Sequence, residues 1–281
     1  MQAMEQYPKP YAIFDELHGL PVIRGPEVAG LQYFMTTAKS GRDVMPSGCA
    51  DTDAFNKAGF NLGFSSGAEP ELILANRARL DEELPSSPVW LAQVHGANVF
   101  DADHWQSGDP LSKADASITT VPGRVLSIQT ADCMPIVLLS ANATVLGVVH
   151  AGWRSLLFGV IENTVEAMQN KSPEPISHVW IGPSIGFLAF EVGTEVRDGF
   201  LEFNPEYERF FKAKDSTDQK YLANLIGIAN HKLRSLVALG QLSSDVGIYF
   251  SGLCSYSLSD WFYSYRRNSQ TGRLATVAYL V

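Results

Sequence analysis

Five short apolar segments follow one another between residues 89 and 150, and they constrain the fold more than any other feature of the chain. They predict strands at 89–95, 116–120, 125–130, 136–139 and 145–150, and similar segments predict strands at 32–36, 178–181, 190–192, 247–250, 261–265 and 274–280. Helices are predicted at 69–84, 154–168 and 219–239, the last from helically spaced apolar residues. Many strands combined with a few helices predict an α/β or α+β fold around a mixed sheet.

The composition favours one ordinary globular domain. The chain has 281 residues, and no repeat, low-complexity tract or long charged run divides it, so we expect a single domain over 1–281. Its net charge of −9 argues against a nucleic-acid partner bound through a basic face. Three cysteines without paired spacing indicate a reducing compartment, and no leader-like or membrane-spanning apolar run occurs. We therefore expect a cytoplasmic protein with no membrane partner.

Three metal-capable residues stand at the edges of the apolar segments. His95 ends the first segment, Cys133 lies between two of them, and His150 ends the last. If these strands are neighbours in one sheet, the three side chains converge. Two imidazoles and one thiolate suit Zn²⁺ or Cu²⁺ and leave a fourth position for water or substrate, as in a catalytic site. For each residue taken alone, a structural role is the commoner explanation, since buried cysteines and hydrogen-bonded histidines are frequent.

Four further residues are candidates for the same site. Arg154 follows His150 in HAGWRS, where a strand turns directly into a predicted helix, so it could help to bind an anion at the helix start. Asp132 could orient an imidazole or cap a turn. Gln93 is on the same strand face as His95. Asn61, in GFNLG, is either a turn residue or a substrate contact.

The motifs QVHG, ADCMPIVLL, HAGWR, IGPSIG, FEVG and SYRRNSQTGR together resemble the YfiH-type laccase-domain family, earlier described as polyphenol oxidases. The similarity extends from about Asn61 to the C-terminus, which leaves residues 1–60 as the divergent part. The resemblance implies a single α/β domain similar to cysteine-hydrolase-like toxin domains. It also implies that His95, Cys133 and His150 are the metal ligands.

One difference from the family pattern concerns phosphate binding. Family members have an arginine after an N-terminal strand, where this chain has Thr37 and Ala38. Lys39 or Arg42 could supply the missing charge from a neighbouring position.

The resemblance implies a metal-dependent purine nucleoside phosphorylase that also deaminates adenosine and cleaves methylthioadenosine, with purine nucleosides and phosphate as its substrates. Zinc-activated hydroxide could attack C6 of adenosine, with Asp132 as the nearest candidate proton carrier. One alternative is a hydrolase that edits peptidoglycan precursors with Cys133 as nucleophile and His150 as base. A laccase-like copper oxidoreductase is a weaker alternative, because six scattered histidines cannot build both of the copper centres that it needs. A non-enzymatic metal-binding protein is the remaining one.

Overall fold

Two large β-sheets form the centre of the molecule. The computed structural model describes residues 8–40, 59–214 and 219–281. In the described chain the seven-stranded sheet contains, in spatial order, β1 (Lys9–Pro10), β14 (Leu242–Phe250), β10 (Ile176–Ile181), β8 (Met134–Ser140), β9 (Leu146–Ala151), β6 (Ala116–Thr119) and β5 (Val99–Asp101). The five-stranded sheet contains β2 (Ile13–Leu17), β3 (Leu20–Arg24), β4 (Leu31–Thr36), β15 (Leu274–Leu280) and β7 (Leu126–Thr130).

The remaining elements are short or helical. A small sheet joins β11 (Glu191–Val192), β13 (Tyr221–Ala223) and β12 (Phe211–Ala213). The α-helices of the described residues are α1 (Pro70–Asp81), α2 (Trp153–Leu157), α3 (Val160–Gln169), α4 (Thr194–Phe203) and α5 (Leu225–Ala238). The seven-stranded sheet is mixed, since β8 runs antiparallel to β9 and β10 while β10 runs parallel to β14. The predicted mixed α/β fold is therefore confirmed.

Strand β8 shows why the sequence folds into layers. All seven of its residues are buried. Ile136 and Leu138 pack into the apolar core that contains the buried faces of α3 and α5, whereas Val137 and Leu139 pack into the core shared with the five-stranded sheet. Successive side chains of a strand point to opposite faces, so a strand covered on both faces is apolar throughout. The seven-stranded sheet is thus packed between helices and the second sheet.

Most predicted strands are present, but two are wrong. Residues 261–265 form no strand and lie partly in turns. Residues 89–95 make only isolated bridges, from Val89 to Leu126 and from Leu91 to Ser112. At residues 89–95, the side chain of Gln93 makes the hydrogen bonds to the neighbouring strand that a strand backbone would make. The Gln93 amide donates to the Gln129 carbonyl oxygen and accepts from the Gln129 N–H, both at 2.8 Å.

Two predicted helices have different bounds. The helix predicted at 154–168 is divided into α2 and α3 because Gly159 adopts a left-handed conformation with φ 85°. The helix predicted at 219–239 begins only at Leu225, since residues 221–223 pair as β13 and the Asn224 side chain caps the helix by accepting from the Gly227 N–H. The β2–β3 hairpin and α4 were not predicted.

Candidate metal centre and active-site cavity

His95, Cys133 and His150 lie together at one end of the seven-stranded sheet. Cys133 immediately precedes β8, His150 lies in β9 opposite Pro135, and His95 lies in the turn that precedes β5. One ligand atom from each side chain lies within 4.8 Å of the other two, and Cys133 Sγ is 3.9 Å from His95 Nε2. The predicted convergence of these three residues is therefore present in the structure.

Gly152 makes room for this arrangement. A Cβ atom at Gly152 would lie 3.0 Å from Cys133 Sγ and 3.1 Å from His95 Cδ2. The backbone that leaves β9 therefore passes close to the side chains of Cys133 and His95, and a larger residue at position 152 would press against both.

The buried carboxylate of Asp115 holds two of the three side chains in place. Asp115 Oδ1 accepts hydrogen bonds from the His95 N–H at 2.9 Å and from His150 Nδ1 at 2.8 Å. Oδ2 accepts from the N–H groups of Val94 and Gly96. Because Nδ1 of His150 donates to Asp115, its Nε2 is the atom left to bind a metal or to accept a proton. His95 itself has φ 58°, a left-handed conformation that is stabilised by the three bonds from the backbone N–H groups of Val94, His95 and Gly96 to Asp115.

The donor set fits a tetrahedral metal ion. Zinc bonds of about 2.0–2.1 Å to nitrogen and about 2.3 Å to sulfur require donors roughly 3.3–3.8 Å apart. The distance from Cys133 Sγ to His95 Nε2 is 3.9 Å, close to this range, and the three donor atoms all lie within 4.8 Å of one another. The imidazole of His150, hydrogen-bonded to a carboxylate through its other nitrogen, has the usual arrangement of a metal-binding histidine. His95, Cys133 and His150 are therefore suited to hold Zn²⁺ or Cu²⁺.

Cys133 and His150 also perturb one another. Burial raises the pKa of the Cys133 thiol, but the charge of His150 and hydrogen bonds from both imidazoles lower the pKa overall. Burial lowers the pKa of His150, whereas the charge of Cys133 and the hydrogen bond to Asp115 raise the pKa overall. The pair therefore favours thiolate and imidazolium, and a thiolate is the form that binds metals and acts as a nucleophile.

These residues lie in the wall of a cavity of about 650 Å³, which is large enough for a nucleoside and a small anion. Aromatic side chains form much of the lining: Phe64, Trp90, Trp153, Phe190 and Tyr265. Four arginines also line it: Arg77, Arg154, Arg266 and Arg273. In the described ranges, none of the four guanidinium groups lies within ion-pair distance of a carboxylate. The cavity is therefore cationic in a chain of net charge −9.

Asp132 lies in the cavity wall, but it does not orient an imidazole. Its carboxylate accepts hydrogen bonds from the Ser255 and Ser264 hydroxyl groups and from the Arg266 N–H. Its backbone φ of 91° is unusual for a residue with a side chain. Asp132 thus anchors the C-terminal segment beside the cavity, and Asp115 makes the hydrogen bond to His150 that the sequence suggested for Asp132.

The other predicted residues have different environments. Arg154 lines the cavity with an exposed side chain, and its guanidinium lies 4.4 Å from the Trp153 ring centroid. Gln93 lines the cavity, but both ends of its amide bind Gln129, as described above. Asn61 is fully buried and is not among the lining residues. The structure thus assigns Asn61 to the scaffold.

The missing N-terminal arginine is not replaced by Lys39. Thr37 and Ala38 are fully buried, and Lys39 Nζ lies 3.8 Å from the Trp261 ring centroid, outside the cavity lining. Arg42 lies outside the described residues. Asp115, Arg77 and Arg273 were not among the residues predicted for the site. Asp115 directly precedes a predicted strand, which was the one available signal.

Comparisons with known proteins identify relatives over most of the chain. A family model described as "Multi-copper polyphenol oxidoreductase laccase" matches residues 46–281. A Shigella flexneri protein named purine nucleoside phosphorylase YfiH is 39% identical over 225 residues, which are 79% of this chain and 86% of that protein. A Deinococcus radiodurans protein named purine nucleoside phosphorylase is 33% identical over 92% of both chains. A crystal structure of a Neisseria meningitidis protein has a TM-score of 0.77 and 30% identity, covering 93% of this chain and 99% of that one.

Within the described residues, no helix has the length and apolar character needed to span a membrane.

A cysteine thiol ordinarily has a pKa of about 8.5. Because His150 lowers the pKa of the Cys133 thiol, metal-free protein should react with iodoacetamide at Cys133 well below that pH. His150→Gln should move the midpoint of the rate profile upward by about one pH unit or more, since the imidazolium charge is lost. Mass spectrometry of the labelled peptide measures the rate, with Cys254 in the same sample as reference. A Cys133 profile that His150→Gln leaves unchanged would contradict this account.

Proposed function

This chain belongs to the multi-copper polyphenol oxidoreductase laccase family, and we propose that it is a metal-dependent purine nucleoside phosphorylase. The observation that supports this most directly is the position of His95, Cys133 and His150 in the wall of a cationic, aromatic-lined cavity. The names of the relatives give the substrates, purine nucleosides and phosphate. We extend the proposal to adenosine deamination and to phosphorolysis of methylthioadenosine, as activities of the same site.

The cavity offers suitable contacts for both substrates. A purine base can stack on the aromatic rings of the lining. In phosphorolysis, a phosphate oxygen forms a bond to ribose C1′, the N-glycosidic bond breaks, and its electron pair leaves with the purine, which takes up a proton. Arginines in the lining neutralise the phosphate charge, and Arg154 contributes at the cavity edge. A bound Zn²⁺ or Cu²⁺ would supply Lewis-acid activation and lower the pKa of a bound water.

The protein's own residues hold this site ready for reaction. Asp115 fixes the ring of His150 through Nδ1, which leaves Nε2 to bind a metal or to carry a proton. Asp132, in the lining next to Cys133, is the proposed proton carrier for deamination, in which water adds at C6 and ammonia leaves. Gln93 lines the cavity and is proposed to contact the substrate beside the purine base. We also propose that residues 1–281 form one cytoplasmic domain, with residues 1–60 its divergent part.

A second candidate rests on the Cys133–His150–Asp115 arrangement. A thiol, an imidazole and a buried carboxylate in this order are the components of a cysteine hydrolase, and the lowered pKa of Cys133 suits a nucleophile. In this alternative the cavity would take an amide of a peptidoglycan precursor, and the fold would share the proposed similarity to cysteine-hydrolase-like toxin domains. A laccase-like copper oxidoreductase has less support. Across residues 8–40, 59–214 and 219–281 one cluster of metal-capable side chains occurs, whereas multicopper oxidation requires several centres.

Protein purified without added metal should contain about one zinc or copper ion per chain, since three donors with an open position form one tetrahedral site. His95→Ala, Cys133→Ala and His150→Ala should each lose most of the metal, measured by elemental analysis. His104→Ala, an exposed histidine outside the cavity, is the matched control. Adenosine and inosine should yield free base only when phosphate is present. Full metal retention in two of the three variants, or base release independent of phosphate, would refute the proposal.

Asp115→Asn should lower metal affinity by about 10- to 100-fold, because the amide group cannot accept all the hydrogen bonds that orient His150 and the His95 turn. Competition with a chromogenic chelator measures the affinity, and Asp109→Asn, at an exposed position, is the control. An unchanged affinity would show that Asp115 does not position the ligands.

The two roles of Cys133 predict opposite responses to chelation. A metal ligand should be alkylated slowly in the holoprotein and faster after chelation, with activity lost on chelation and restored by zinc. If the chelated protein stays fully active while alkylation of Cys133 abolishes turnover, the cysteine hydrolase replaces the phosphorylase as the function.

A further inference from the structure

Two of the cavity arginines, Arg77 from α1 and Arg273 from the segment before β15, are anchored on the same loop, residues 61–64. We call them the arginine pair. Arg77 Nε donates to the Leu62 carbonyl oxygen at 3.0 Å. The aliphatic part of Arg273 packs on Gly63, where an added Cβ would lie 2.3 Å from Arg273 Cγ. Glycine at this position is therefore required for Arg273 to cross the loop.

Hydrogen bonds of Asn61 hold the loop of residues 61–64 in place. Its Oδ1 accepts hydrogen bonds from the N–H groups of Gly63 at 3.0 Å and Arg273 at 2.9 Å. Its Nδ2 donates to Ser66 Oγ, and its carbonyl oxygen accepts from Asn76 Nδ2. All of these bonds are buried or partly buried, so the backbone beneath the arginine pair is fixed. Asn61 is a positioning residue for the pair.

The environment of Arg77 leaves its guanidinium edge available to a ligand. The guanidinium carbon lies 3.9 Å from the ring centroid of Trp90 and 4.7 Å from that of Phe64. Aromatic rings on a guanidinium face leave the in-plane N–H groups as donors. Burial lowers the pKa of Arg77 to about 10, although the charge of Asp81 opposes the shift. In the described chain no carboxylate lies within ion-pair distance of Arg77, so a partly buried cation lacks a direct counter-ion.

Arg273 lines the same cavity as Cys133 and Arg77. Burial lowers the pKa of Arg273, and the charges that oppose the shift are those of Cys133, Tyr265 and Asp132. Its Nη1 donates to two backbone carbonyl groups, those of residues 271 and 272, which fixes the guanidinium. Arg77 therefore contacts aromatic rings of the cavity, and Arg273 lines the same cavity within electrostatic range of Cys133.

From this geometry we infer that the arginine pair is the phosphate-binding subsite of the cavity. The inference rests on the proposed function in that the phosphate is taken to be the co-substrate. Fixed guanidinium groups bind phosphate oxygens in a bidentate manner, and partial burial strengthens the attraction. Arg154 is less suited, because its side chain is exposed and α2 has only five residues. A phosphate carried on the substrate, as in a nucleoside 5′-phosphate, would use the same chemistry.

Arg77→Met and Arg273→Met should each weaken binding of inorganic phosphate by about tenfold or more, measured by calorimetry on the metal-loaded protein. The KM for phosphate should rise by a similar factor, while the KM for the nucleoside changes less than about threefold. Arg234→Met, at an exposed position on α5, is the control and should leave phosphate binding unchanged.

Gly63→Ala gives a test that keeps every charge. The added methyl group should displace Arg273 and reproduce the loss of phosphate affinity, with metal content retained. Arg77→Lys and Arg273→Lys should also weaken phosphate binding, because a lysine lacks the planar fork. These variants decide the matter if a methionine variant does not fold, as judged by circular dichroism and metal content.

The outcomes separate this inference from the proposed function. If the wild-type protein binds phosphate through the pair but releases no base from nucleosides, the phosphorylase proposal fails and the subsite stands. In that case, adenosine 5′-phosphate should displace inorganic phosphate from the wild-type protein, and the variants of the arginine pair should no longer bind adenosine 5′-phosphate. This result would assign the subsite to a phosphate carried on the substrate. If Arg154→Met abolishes phosphate binding while the pair variants retain it, the subsite lies at α2 and the inference is overturned. Absence of binding of both phosphate and adenosine 5′-phosphate to the wild-type protein would overturn it as well.

Discussion

The site depends above all on the hydrogen bonds accepted by the buried carboxylate of Asp115. This carboxylate binds the backbone of the His95 turn and the ring of His150, two elements that are separated by more than fifty residues in the chain. A buried charge is costly unless it is fully hydrogen-bonded, and each bond to a charged group contributes about 1.5–3 kcal/mol. The same bonds that satisfy Asp115 therefore fix the geometry of both histidines.

The layered fold gives this carboxylate its rigid surroundings. Asp115 directly precedes β6, which pairs with β9, and its own carbonyl oxygen accepts from the His150 N–H at 2.7 Å. Strand β8, buried on both faces, pairs with β9 on the other side and places Cys133 at its start. Three neighbouring strands thus bring the three side chains to one end of the sheet, and helix–sheet and sheet–sheet packing keep these strands in register.

The charge of the cavity contrasts with that of the whole chain. A protein of net charge −9 has four guanidinium groups in one cavity, without an ion-paired carboxylate in the described residues. Such an arrangement is electrostatically unfavourable without an anion and favourable with one. The proposed metal binding, thiolate formation at Cys133 and the proposed anion binding are therefore compatible in one site, because imidazoles, a metal ion and arginines all stabilise negative charge.

The sequence alone predicted the mixed α/β fold and the meeting of His95, Cys133 and His150, because alternation of apolar segments is a local signal and strand ends are marked within it. It did not reveal Asp115 or the arginine pair, and it placed a regular strand at 89–95. These features depend on side chains from distant segments. The Gln93 side chain makes hydrogen bonds to the backbone of β7, and Asn61 accepts a hydrogen bond from the backbone of Arg273, more than two hundred residues away. Only the tertiary structure could decide which polar groups satisfy one another, since a buried hydrogen bond selects its partner by position in space and not by spacing along the chain.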